Sequence, residues 1–233
     1  MGHERCDVDL GRRQLLHTAI YSALIGTAIE ATIPFAGAEA LNAPTDLSPE
    51  AALKKLLEGN QRAATGKLTS VERDLAILRE HTVNKQEPFA ALLSCADSRV
   101  PVELIFDQTI GDLFVTRVAG NIVTPEIIAS LEYGVAVLGV ETLVVLGHSS
   151  CGAVKAAMKA EAVPGQISTL YPHLRQAVQQ SGGSLEKAIE ANAKIQAELL
   201  RTSSTVIREA IAAGKLKVES GVYDLASGKV TLS

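Results

Sequence analysis

Thr142-Leu143-Val144-Val145-Leu146-Gly147-His148-Ser149-Ser150-Cys151 is the stretch that decides the fold class. Its first half is an unbroken apolar run. A short run without polar interruption reads as a strand buried on both faces, as in a parallel sheet. Phe89-Ala90-Ala91-Leu92-Leu93 and Leu113-Phe114-Val115 repeat the pattern upstream. Between the second and third runs lies Pro125 to Leu138, where Ile128, Leu131 and Val135 recur at helical spacing. Strands alternating with helices predict an α/β layered fold, with a central, mainly parallel β-sheet flanked by helices.

The remainder is read outward from that centre. Helical segments are expected at about 151–160, 166–181 and 184–213. The tail, Lys215 to Leu232, alternates in polarity and contains Ser227-Gly228, so it predicts a C-terminal strand followed by a hairpin. On the other side, Ser48-Pro49-Glu50 opens a helix with Ser at the N-cap and Pro at N1. Leu53, Leu56 and Leu57 share one face, and the pattern is expected to end near Gly59. A second helical stretch is expected over roughly Val71–Glu80, completing an N-terminal helical arm.

Residues 1–43 differ in character. Arg12-Arg13 precedes a hydrophobic stretch, Thr18 to Ile29, and Ala36-Gly37-Ala38 and Glu39-Ala40 follow as small-residue cleavage sites. A basic pair, a short apolar run and small residues form a secretory signal, here of twin-arginine type. The run is too short to span a bilayer comfortably, and Glu30 interrupts it. The expected organisation is a signal peptide and linker at 1–43 and one catalytic domain at 44–233. The expected location is the periplasm or an equivalent extracytoplasmic compartment, with no stable membrane association after processing. The twin-arginine route moves folded proteins, so reduced thiols can be loaded with metal before they meet an oxidising compartment.

The chain has 233 residues, enough for one substantial core. Its net charge of -4, with no basic cluster beyond Arg12-Arg13, argues against a nucleic-acid partner. Tryptophan is absent and aromatics are few, so Leu, Ile, Val and Ala must build the core. Three cysteines, Cys6, Cys95 and Cys151, do not make a disulfide framework. Cys6 is incidental; the other two have chemical neighbours.

Cys95 follows the first buried run, and His148 and Cys151 follow the third. In a parallel sheet, residues beyond the carboxyl ends of neighbouring strands converge on one crevice. The H-x-x-C spacing lets one ion take both ligands from a single turn. Two thiolates and one imidazole suit zinc, and three protein ligands leave a fourth position open for chemistry. Cys151-Gly152-Ala153 also begins a helix, whose positive end stabilises a thiolate. Gly147 and Gly152 are expected to allow tight backbone packing near the ion. His3, His17 and His173 lack a pairing context, and His81 sits in a polar helix end, where it is expected to be solvated.

Cys95-Ala96-Asp97-Ser98-Arg99 adds a carboxylate and a guanidinium beside the first sulfur. Asp97 and Arg99 can form a bidentate pair, which keeps the carboxylate ionised and oriented. The bland alternative is a surface salt bridge of little worth.

Taken together, C-A-D-S-R-V-P at Cys95–Pro101, G-D-L-F-V-T-R-V-A-G-N at Gly111–Asn121 and G-H-S-S-C-G-A-V at Gly147–Val154 resemble the beta-class carbonic anhydrases. The resemblance covers about residues 48–233. It implies zinc-dependent, reversible hydration of carbon dioxide to bicarbonate and a proton, by attack of a zinc-bound hydroxide. It implies one zinc ion per chain on Cys95, His148 and Cys151, with Asp97 and Arg99 as the catalytic dyad. Gln86 matches a glutamine that hydrogen-bonds substrate. Phe114 and Tyr133 match pocket aromatics, often contributed across a dimer interface; core packing is their alternative role. The backbone near Gly152 is placed to stabilise developing oxygen charge. Ala119 and Gly120 fall where some relatives carry bulkier groups.

The family also implies a homodimer or homotetramer. Leu92 stands three positions before Cys95, where a bicarbonate-regulated subset carries tryptophan, so the plant-like, unregulated subtype is expected. Two rival functions are a carbonyl sulfide or carbon disulfide hydrolase on the same scaffold, and a non-catalytic zinc- or bicarbonate-binding module. The intact Asp97–Arg99 pair argues against the second.

Overall fold

In the computed structural model, residues 47–70 and 82–233 are described. The leader, the linker up to Asp46, Cys6, His81 and the helix expected over 71–80 lie outside them.

Helix α1 (Pro49–Ala64) starts as expected: the Ser48 hydroxyl accepts from the Ala51 amide at 3.2 Å, and Pro49 is at N1. It does not end at Gly59. That residue is buried within the helix, where the turn after α2 (Val102–Ile105) approaches closely. A Cβ at Gly59 would lie 1.8 Å from the Phe106 carbonyl oxygen. The glycine therefore admits a neighbouring backbone rather than stopping the helix.

Among the described residues the sheet has five strands in the order β2-β1-β3-β4-β5: β1 (Ala90–Ser94), β2 (Leu113–Arg117), β3 (Thr142–His148), β4 (Lys217–Tyr223) and β5 (Val230–Leu232). The first four are parallel, and β5 returns antiparallel to β4. The three apolar runs are thus β1, β2 and β3. Every residue of β1 and β3 is buried, which explains their continuous hydrophobic sequence.

Alternate residues face two separate cores. Ala90, Leu92, Val144 and Leu146 pack with Ala52, Leu53 and Leu56 of α1. Ala91, Leu93, Leu143 and Val145 pack with Leu131, Ala197, Leu200 and Ile207. The latter come from α3 (Pro125–Ala136), α6 (Leu185–Ser203) and α7 (Thr205–Ala212). Helices α4 (Gly152–Lys159) and α5 (Tyr171–Gln180) complete the set. The stretch expected to be helical over 166–181 begins as a 3-10 turn, Ile167–Leu170, before α5. The segment expected at 184–213 is two helices. Ser204 is extended (φ -99°, ψ 123°), and its hydroxyl caps α7 by accepting from Ile207 at 3.0 Å. The same hydroxyl donates to Glu132 of α3 at 2.6 Å, fixing the break against the sheet-covering layer. No helix of the described residues is long and apolar enough to cross a membrane.

Candidate metal centre

A third cluster lies at the carboxyl ends of β1 and β3, where Cys95 and Cys151 pack with Ile122, Val154, Leu174, Ala188 and Ile189. The parallel register sets Ser94 beside Leu146. Cys95, the next residue after β1, therefore faces the end of β3, whose last residue is His148. The turn that follows is tied to β4. The Ser149 amide donates to Tyr223 O, and the Ser149 hydroxyl accepts from the Leu225 amide, both at 2.9 Å. Ser150 has φ +57°, a left-handed conformation uncommon outside glycine, and this reversal brings Cys151 back beneath His148. Cys151 then serves as the N-cap of α4. One ligand atom from each of Cys95, His148 and Cys151 lies within 4.8 Å of the others. The convergence expected from strand order is present.

The imidazole is preset for a metal. His148 is fully buried, and its Nδ1 lies 2.9 Å from the Ser149 carbonyl oxygen. A carbonyl only accepts, so Nδ1 carries the hydrogen and Nε2 keeps its lone pair. That Nε2 is buried without a hydrogen-bond partner. An orphaned acceptor beside two sulfurs fits a tetrahedral ion such as zinc. Among the described residues, no Asp, Glu or further His or Cys joins the cluster to close a fourth position.

The sulfurs are electrostatically linked. A hydrogen bond from the Cys151 thiol holds Cys95 well below the usual thiol range, against burial. The backbone at Gly120 and Asp97 adds to it. Cys151 is pushed up by donating to Cys95 and by its own burial. Metal binding requires both sulfurs as thiolates and releases any proton they carry.

Arg99 grips Asp97 by both oxygens: Nε donates to Oδ1 at 2.9 Å and Nη2 to Oδ2 at 2.8 Å. The Arg99 amide adds a third bond to Oδ1 at 3.0 Å. The guanidinium holds the Asp97 carboxyl well below the usual carboxylate range. Asp97 Oδ2 stands 3.8 Å from His148 Nε2, so the carboxylate borders the ligand set.

Arg117, at the end of β2, was assigned no role from sequence. Its Nε donates to Cys95 O at 3.0 Å and its Nη2 to Asp97 O at 2.5 Å. It thus fastens the segment that carries both a sulfur and the dyad. Its signal was its place in the Gly111–Asn121 motif.

The remaining expected residues lie further out. Phe114 on β2 and Tyr133 on α3 face one another with ring centroids 6.1 Å apart. Phe114 is half-buried against the second core, and Tyr133 is exposed. Gln86 is exposed in the extended stretch before β1, and no hydrogen bond among the described residues joins it to the cluster. Gly147 is tight, since a Cβ there would lie 3.2 Å from Ile189 Cγ2. Gly152 is not: nothing lies within 4 Å of that point, so the expectation of close packing at Gly152 is corrected to an open backbone. Gly152 lines a surface cavity of about 250 Å³ with Lys155, Lys159 and Tyr171.

The model of the carbonic anhydrase family matches residues 90–230. Carbonic anhydrase 2 of Mycobacterium tuberculosis is 35% identical over 193 residues, covering 79% of this chain and 93% of that protein. Among solved structures, a Coccomyxa beta-carbonic anhydrase in complex with acetazolamide is similar with a TM-score of 0.61 and 27% identity, over 77% of this chain and 85% of that one. A tetrameric beta-carbonic anhydrase from Sordaria macrospora gives a TM-score of 0.62 and 26% identity, over 77% and 95%.

Proposed function

The chain belongs to the beta-class carbonic anhydrase family and is an enzyme, and on that premise we propose that it interconverts carbon dioxide and bicarbonate with one zinc ion held by Cys95, His148 and Cys151. The observation that carries the metal assignment is the buried, unpartnered Nε2 of His148 facing two sulfurs within 4.8 Å. A structural zinc site would need a fourth protein ligand, and none joins the cluster among the described residues.

When bound, zinc supplies the Lewis acidity that makes water nucleophilic near neutral pH. Asp97, ionised because Arg99 donates to both its oxygens, accepts a hydrogen bond from the reacting water and turns a lone pair toward carbon dioxide. Arg117 keeps the Cys95–Asp97 segment from drifting. Open backbone at Gly152, on the positive end of α4, stabilises negative charge developing on the substrate oxygens. Gln86, Phe114 and Tyr133 complete the substrate pocket. The exposure of Gln86 and Tyr133 on one chain suits a pocket finished by a second copy, in a homodimer or homotetramer. Residues 1–43 serve export, on the strength of the Arg12-Arg13 pair and the apolar run after it.

The test is metal analysis with stopped-flow carbon dioxide hydration on the purified chain beginning near Pro44. One zinc per chain is expected, with activity lost on chelation and restored by zinc. Full hydration activity in metal-free protein would overturn the proposal. Cys95→Ala and Cys151→Ala should each lose zinc and turnover together.

A further inference from the structure

The Cys95 sulfur has a neighbour that no metal-ligand motif contains. The Gly120 amide donates to Cys95 Sγ at 3.3 Å. Gly120 has φ +77°, and a Cβ there would lie 3.3 Å from Ala153 Cβ and 3.4 Å from Leu174. A side chain is therefore opposed both by the backbone conformation and by the packing. The turn alone does not hold this amide in place. Asn192, on α6 and 72 residues away, donates through Nδ2 to the Gly120 carbonyl oxygen at 2.8 Å. Gln196, one helical turn on, donates to Asn192 Oδ1 at 3.1 Å and to His173 O at 3.2 Å. Its Oε1 accepts from the Val123 amide at 2.8 Å. Asn192 is 1% exposed and Gln196 0%.

Two buried amides on a helix otherwise packed through alanine, isoleucine and leucine require a reason, because burial of polar groups costs stability unless each is paired. Core packing alone is better served by leucine. Here the pairing is directed: the amides bind the backbone at the Gly120 carbonyl and, three residues on, at the Val123 amide. They hold the Gly120–Asn121 peptide, and with it the backbone dihedrals at Gly120 that set how the preceding peptide presents its N–H to the sulfur.

We infer that Asn192, braced by Gln196, is a positioning residue for the metal centre, acting through the Gly120 amide on the Cys95 sulfur. This rests on Cys95 being a zinc ligand. An N–H donated to a thiolate draws charge off the sulfur, orients it and limits how far it neutralises the ion. Two-sulfur sites have most need of this, since each thiolate weakens the ion as an acid.

The test uses the zinc enzyme and its cobalt-substituted form. Asn192→Leu removes the donor while keeping the branching and the number of side-chain heavy atoms, and Asn192→Asp keeps the shape and the acceptor but cannot donate to Gly120 O. Both should weaken zinc by about 10- to 100-fold in chelator competition, as loss of outer contacts to metal ligands typically does. Both should also shift the sulfur-to-cobalt charge-transfer band. Ile207→Ala, a core truncation in the other cluster, controls for destabilisation and should leave affinity and spectrum unchanged. Unaltered affinity and spectrum in folded Asn192 variants would overturn the inference. A second measurement needs no variant: in cadmium-113-loaded wild type, the Gly120 amide proton should show scalar coupling to the metal across the sulfur, and its absence would overturn the inference equally. Wild type that binds no stoichiometric metal would instead defeat the metal assignment itself, a separable result.

Discussion

Arg99 holds both carboxylate oxygens of Asp97 from only two residues along the chain. A pair so close in sequence needs no distant element to form, and its orientation depends only on the loop that Arg117 fastens. The geometry separates metal binding from turnover. Asp97→Asn should bind zinc normally, yet lose about 10²- to 10⁴-fold in kcat, the range for a positioned acid–base group. Loss of zinc in step with activity would show that Asp97 supports the ligands instead.

Gly59 makes a prediction whose sign opposes helix propensity. In an exposed helix interior, Gly→Ala stabilises by about 1 kcal/mol. Here the new Cβ would meet the Phe106 carbonyl oxygen at 1.8 Å. Gly59→Ala should therefore destabilise by roughly 1–3 kcal/mol, as overpacking does. A urea titration that finds the variant more stable would mean that α1 does not lie against that turn.

Asp107 is a buried acid held by several neighbours. Burial alone would raise its carboxyl. Arg62, at 2.6 Å, the amides of Thr69 and Ser70 and the Thr69 hydroxyl outweigh that and hold it below the usual carboxylate range. A depressed folded pKa stabilises above the unfolded value, about 3.9, and that contribution is lost as pH falls through the folded one. Asp107→Asn should cost about 1–3 kcal/mol at pH 7, the penalty for unmet buried donors. The gap from wild type should close as pH drops below about 4. A gap independent of pH would mean the ionised carboxylate contributes nothing.

The three strands, the convergence of Cys95 with His148 and Cys151, and the Asp97–Arg99 pair were all legible in the sequence. Each depends on a local pattern: continuous apolar runs, strand ends, and residues two apart. What escaped depends on contacts between distant segments. Gly59 looked like a stop because the backbone of Phe106, 47 residues on, is invisible to periodicity. Ser204 splits a helical pattern because its hydroxyl has partners on two elements, Glu132 and the Ile207 amide. Asn192 and Gln196 carry no local signal of their role, since their partners at Gly120, Val123 and His173 belong to other parts of the chain.

Leu92 is fully buried on β1 among Ala90, Val144 and Leu146. The position thus belongs to the core, and the unregulated subtype expected from its lack of tryptophan makes a kinetic prediction. Activity should rise smoothly with pH, and bicarbonate should not inhibit at neutral pH. A sigmoidal pH curve with bicarbonate inhibition would refute this.

Export has its own test, on residues outside the described structure. Cell fractionation should find the wild-type chain shortened and outside the cytoplasm. Arg12→Lys with Arg13→Lys should retain it inside at full length. Equal export of the double variant would remove the twin-arginine assignment.

Asn60, near the start of the described chain, donates to Ile105 O at 3.0 Å and to Gly228 O at 2.9 Å, and accepts from the Val230 amide at 2.8 Å. One side chain thereby latches the opening helix to the closing hairpin across 170 residues. Such a latch cannot engage during synthesis until the last strand has left the ribosome. Contacts of that sequence separation slow folding. The described domain is sealed by β5, and removing Val230–Leu232 would unfasten α1.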